Sequence, residues 1–185
     1  MTHTASQPEY GGAMKGFHWL VVALLVVQYA LGWTMPELRR GMPPEGLVNL
    51  HLSFGVAIGA LMALRLAWRI LTTQPPADPS LPRWQHKAAA AVHGLLYLLV
   101  FILVLTGWAD ASRRGWAVTL FGVLDLPALV AMGSAVGRAL GEVHETLVTV
   151  LLIVVGAHLA AVAVHVLLWR DRIMDRMTPR LRHRS

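Results

Sequence analysis

The chain has 185 residues, 56% of them hydrophobic and only 14% charged, and no cysteine. That composition excludes an ordinary soluble domain. The missing thiols exclude disulfides, thiolate ligation of haem, Cys-held iron–sulfur clusters and covalent c-type haem attachment. A net charge of +6 raises the question of nucleic acid, but the basic residues flank apolar runs, where they set membrane topology and meet lipid headgroups.

Residues 1–12 are polar and read as a disordered leader, with no small-residue cleavage site in the apolar run that follows. The first predicted helix, about residues 14–35, opens on Phe17, His18 and Trp19 and stops at Pro36. A short Pro-rich loop leads to the second, about 47–71, which carries His51 near its start and leaves through Arg65, Trp68 and Arg69. Four prolines within residues 75–82 make the next connection an extended linker. The third helix, about 85–108, bears His86 and His93, and the fourth, about 140–169, bears His144, His158 and His165. Each run is long enough to span a bilayer. Residues 116–137 are apolar but hold Asp125 and Pro127 at their middle, so they are expected to form an external loop with one or two interfacial helical turns. Residues 180–185 are a basic tail.

Eleven of the sixteen Lys and Arg residues lie at the termini and around the second connection. That split predicts N- and C-termini in the cytoplasm. The fold expected is therefore all-α, a four-helix transmembrane bundle over residues 13–179.

An imidazole in hydrocarbon is costly and marks a functional position. His144, His158 and His165 are separated by fourteen and seven residues, so they share one helical stripe at different depths. In an up-down bundle, depth pairs His51 with His144 near one face and His18 with His158 toward the other. Each pair joins two helices across the core, which is how bundles hold cofactors. Two neutral imidazoles suit a low-spin, six-coordinate haem, so the expectation is haems between the helices, two haem b per chain. Zinc requires four clustered ligands, which these pairs do not supply. Arg65 stands fourteen residues after His51, on the same side and at the inner depth; it is either a propionate partner or a snorkelling interfacial arginine.

The segments FHW, NLHLSFG, LRLAWR followed by a PP linker, HGLLYLLV, VHET, GAHLAA and HVLLW occur in this order. Together they resemble the bacterial cytochrome b561 family, small four-helix dihaem membrane cytochromes of the bacterial inner membrane. The resemblance covers about residues 14–179 and implies the same ligand pairs, His18 with His158 and His51 with His144. It also implies that His165 lies at a quinone site with Trp169 near it, and an activity that passes electrons from superoxide to ubiquinone. His93 matches a family histidine and is expected to pack structurally. A superoxide oxidase needs a basic mouth for its anionic substrate, and Arg113 and Arg114, with Arg39, Arg40 and Arg138, stand in the outer connections beside carboxylates that bring their net charge near zero. The alternative is an electron-transfer cytochrome b subunit that links a dehydrogenase or other periplasmic redox protein to the quinone pool. The partners expected are membrane lipid, ubiquinone, and superoxide or that redox protein, and no nucleic acid.

Overall fold

The computed structural model describes residues 9–37, 41–79, 81–171 and 173–178. Among the described residues, four helices are long and apolar enough to cross a membrane: α1 (Gly12–Thr34), α2 (Leu47–Leu71), α3 (Arg83–Arg113) and α4 (Ala135–Ala163). Helices are the natural choice because hydrocarbon offers no partner to a free N–H or C=O. Their ends are written locally. Met35 closes α1 on the Leu31 carbonyl just before Pro36, Pro82 precedes α3, and Ser134 caps α4 by accepting from Gly137 N–H at 3.3 Å.

Helices α1 and α2, α2 and α3, and α3 and α4 pack as neighbours. Tyr29 Oη donates to the Val148 carbonyl at 2.8 Å and ties α1 to α4. The bundle runs up and down, so it has two distinct ends. At the terminal end, the start of α1 meets the chain after α4: Lys15 Nζ donates to the Thr178 carbonyl and Trp19 Nε1 to the Met177 carbonyl, both at 2.9 Å. There α4 passes into a π-helix, Val164–Trp169, then a short 3-10 turn, Ile173–Arg176. Arg176 donates to the Pro76 carbonyl of the α2–α3 linker at 2.7 Å.

The opposite end corrects one expectation. Residues 116–134 hold no helix; they carry an antiparallel hairpin, β1 (Val118–Leu120) with β2 (Leu124–Leu126), and residues 135–137 already belong to α4. Phe121 and Gly122, the central turn residues, have φ of 51° and 72°, the positive values of a primed hairpin turn. Ser53 Oγ of α2 donates to the Thr119 carbonyl at 2.9 Å and accepts from Phe121 N–H at 3.1 Å. Trp116 Nε1 reaches the Met42 carbonyl at 2.8 Å. Backbone groups at Thr119 and Phe121 are thus met by the bundle rather than by a helical turn. Helix α3 also runs five residues past Trp108, and α4 starts five before Leu140. Apolar run length detects the lipid-embedded part of a helix, not its polar extension.

The buried core, Val21, Ile58, Met62, Leu99, Val100, Leu103 and Leu151, lies at mid-depth. Ile58 stands seven residues from both His51 and Arg65, and Leu151 seven from both His144 and His158. An apolar waist therefore separates two polar ends. Large apolar side chains such as Leu64, Leu98, Leu105 and Ile153 face outward, as a lipid-embedded surface requires. The leader residues 1–8, Arg39, Arg40 and the tail 180–185 lie outside the described residues.

Candidate functional site

His51 of α2 and His144 of α4 line one cavity of about 310 Å³ near the hairpin end, a size within the usual range of ligand sites. Its wall is apolar apart from a few groups, among them Gln28, Tyr29 and Glu145. The imidazole of His144 lies on the backbone of α3 at Gly107, where a Cβ would fall 2.9 Å from Cε1. Only glycine leaves room for the ring. His144 Nδ1–H donates to the Leu103 carbonyl at 2.9 Å, which fixes the tautomer and frees Nε2 to act as a ligand. His51 packs on Gly32 of α1, where a Cβ would stand 3.5 Å from its Cε1. Gln28 Nε2 donates to the His51 carbonyl at 3.0 Å and meets the ring Nε2 at 3.2 Å. His51 Nδ1 is buried without a hydrogen-bond partner. Two imidazoles in an apolar slot, with His144 Nε2 left free by the Leu103 bond, are residues that would hold a b-type haem.

The second cluster lies beyond the waist, toward the terminal end. His93 of α3 stands edge to face with His158 of α4, ring centroids 5.6 Å apart. His18 of α1, His93 and His158 are all within electrostatic reach of Arg65. The Arg65 guanidinium lies over the Tyr97 ring at 5.2 Å. Arg65 Nε and Tyr97 Oη are buried without partners. A buried guanidinium with an unmet donor beside several imidazoles fits a flat ligand whose edge is anionic, as haem propionates are. Among the described residues, no three His, Cys, Asp or Glu side chains converge as a metal-binding group.

His165 and Trp169 fall together on the π-helical turn at the end of α4, ring centroids 4.6 Å apart and nearly perpendicular. His165 Nδ1 is paired with the carboxylate of Asp171. At the hairpin end, Arg113 Nε and Arg114 Nε both bind Asp110, at 2.6 and 2.8 Å. The two arginines are thus gathered on one carboxylate rather than left as free cations.

Sequence reasoning missed Gln28, Tyr97 and Asp171; Asp110 is one of the carboxylates it set beside the outer arginines. Gln28 carried a usable signal, an amide in the middle of an otherwise apolar span. Tyr97 and Asp171 carried none, because their partners lie on another helix or around a break in one.

Comparison with known proteins adds independent findings. The sequence profile described as prokaryotic cytochrome b561 matches residues 9–180. Cytochrome b561 homolog 2 of Escherichia coli (strain K12) is 30% identical over 149 residues, 78% of this chain and 77% of the relative. Cytochrome b561 homolog 1 of the same organism is 27% identical over 168 residues, 88% and 93% of the two chains. A protein of Yersinia pestis named probable superoxide oxidase CybB is 28% identical over 178 residues, 94% and 98% of the two chains.

Proposed function

We propose a function that proceeds from one established point: this chain belongs to the prokaryotic cytochrome b561 family, so it is a multi-pass membrane protein of electron transfer that binds b-type haem. The proposal is that it carries electrons across the bacterial inner membrane, oxidising superoxide at the hairpin end and reducing ubiquinone at the terminal end. Both termini then lie in the cytoplasm, as the charge split favours. The observation that carries this reading is the pair of histidine clusters, one at each end of the bundle, separated by the apolar waist.

When bound, haem supplies one-electron transfer at its iron. His51 and His144 would hold one haem, and His18 and His158 a second. Leu103 and Gln28 hold the outer rings in place, and Arg65 offers its free donor to a propionate. The waist excludes water between the two clusters. His165 and Trp169 would form the quinone site, the imidazole facing a quinone carbonyl and the indole walling one side. Arg113 and Arg114 would draw superoxide toward the hairpin end through guanidinium nitrogens not used by Asp110. The name of the Yersinia pestis relative supports the donor.

One observation favours a second reading, an electron-transfer subunit docked to a dehydrogenase or other redox protein. Asp110 balances much of the charge of both arginines, while Phe121, Val123, Leu124 and Met132 are exposed at the same end. One experiment decides. Superoxide generated outside right-side-out membrane vesicles should reduce the haems, and quinone should then reoxidise them. The same source outside inside-out vesicles should not. Failure in both preparations leaves the electron-carrier subunit; reduction only in inside-out vesicles reverses the topology.

A further inference from the structure

The chain beyond His165 is built to bring a carboxylate back to it. On an α-helix, residues six apart point about 120° away from each other. Here the π-helix Val164–Trp169 widens the last turn, and Arg170 takes a left-handed φ of 50°. The chain then reverses, and Asp171 N–H donates to the His165 carbonyl at 3.1 Å. The Asp171 side chain swings onto His165 Nδ1. Its other oxygen accepts from Ile173 N–H at 3.1 Å. Both oxygens are committed, so the carboxylate is fixed and not a rotamer of passage. The His165 side chain is 13% exposed and that of Asp171 23%.

We propose that Asp171 is the positioning residue that makes His165 a proton donor to quinone. The proposal rests on the reading above that quinone binds beside His165. With Nδ1–H committed to Asp171, only Nε2 can face a ligand, and Trp169 holds the ring plane from the side. When Nε2 also carries a proton, the positive charge of the ring faces a carboxylate at its back edge. Quinone becomes quinol by taking two electrons, delivered by the electron transfer of the chain, and two protons. For one of these, the His165 Nε2–H bond breaks as an O–H bond forms on a quinone oxygen. His165 is left neutral and protonated at Nδ1, in the tautomer Asp171 selects. Solvent water supplies the second proton and recharges Nε2.

The test follows haem reoxidation in purified, chemically reduced protein mixed with a short-chain ubiquinone, by stopped-flow absorbance. Asp171→Ala should keep full haem content and spectrum and lower the maximal reoxidation rate by roughly tenfold to a hundredfold. The half-saturating quinone concentration should move less than about twofold, since the proton matters to turnover more than to binding. Asp171→Glu should restore most of the rate, and Asp171→Asn, which can accept from Nδ1–H but has no charge, should not. A wild-type maximal rate in both Asp171→Ala and Asp171→Asn, with His165→Ala slow, overturns the role of Asp171 and leaves the quinone site standing. Wild-type rates in all three variants place the quinone elsewhere, and both readings fall.

Discussion

The two histidine clusters share α4 but draw their other histidines from different helices, and they are made in opposite ways. The hairpin-end pair is walled: rings set on Gly32 and Gly107, one tautomer pinned by a backbone carbonyl, and a hairpin closing the end of the bundle. The terminal-end cluster is built around a cation, Arg65, whose Nε is buried without a hydrogen-bond partner and whose guanidinium lies over the Tyr97 ring. A walled apolar site selects by shape. A site with a part-buried cation selects by charge, because the unmet Arg65 donor costs free energy until an anionic ligand edge meets it. If two haems bind as proposed, the bundle would hold them by different physics, and substitutions should separate them.

The largest effect expected is loss of one haem without the other. His51→Ala or His144→Ala should reduce the pyridine haemochrome content from two haems per chain to one, and His18→Ala or His158→Ala should remove the other. The remaining absorbance bands should differ between the two groups. On the proposed pairing, His93→Ala should keep both haems, with His93 packing against His158 rather than replacing it. Loss of a haem in His93→Ala would move the inner pairing onto that residue.

A smaller effect belongs to the wall alone. A Cβ at Gly107 would press on His144 at 2.9 Å, so Gly107→Ala should weaken retention of the hairpin-end haem. Overpacking of this kind costs about 1–3 kcal/mol, which is roughly fivefold to a hundredfold in retention, measured by competition with an apo-haem acceptor. The terminal-end haem should be untouched.

The smallest effect should come from charge removal at the hairpin end. Arg113→Gln with Arg114→Gln should slow reduction by superoxide by roughly threefold to tenfold at low ionic strength and flatten its salt dependence. Quinone-driven reoxidation should keep its rate. An unchanged reduction rate would mean that the carboxylate of Asp110 already cancels the field and that the two arginines serve to hold the end of α3.

Much of this was legible in the sequence, for a physical reason. Membrane spans follow from composition, and a stripe of residues seven and fourteen apart follows from helical period, so His144, His158 and Arg65 could be placed by counting. Residues 116–137 could not. Val-Thr-Leu and Leu-Asp-Leu are too short for period to distinguish strand from helix, and what settles them is Ser53, sixty-six residues from Thr119. The contact of Gln28 with His51 depends on how α1 and α2 slide against each other, which no single-helix pattern encodes. Asp171 was hidden differently: regular helix geometry turns it away from His165, and only the π-turn and the left-handed Arg170 bring it back.

The apolar waist has an electrical consequence. Fourteen residues from His144 to His158 rise about 21 Å, some two-thirds of a hydrocarbon core of about 30 Å. Because Ile58, Leu99 and Leu151 close the middle of that stretch with buried apolar side chains, it offers hydrated counterions no polar path. An electron passing from the hairpin end to a cytoplasmic terminal end, as proposed, moves against an interior-negative membrane voltage. At 100 mV that step costs about 1.6 kcal/mol, two-thirds of the full charge-transfer work. Turnover in sealed vesicles should then be electrogenic, charging the membrane as it runs and slowing under its own voltage. An ionophore that discharges the vesicles should bring the rate back.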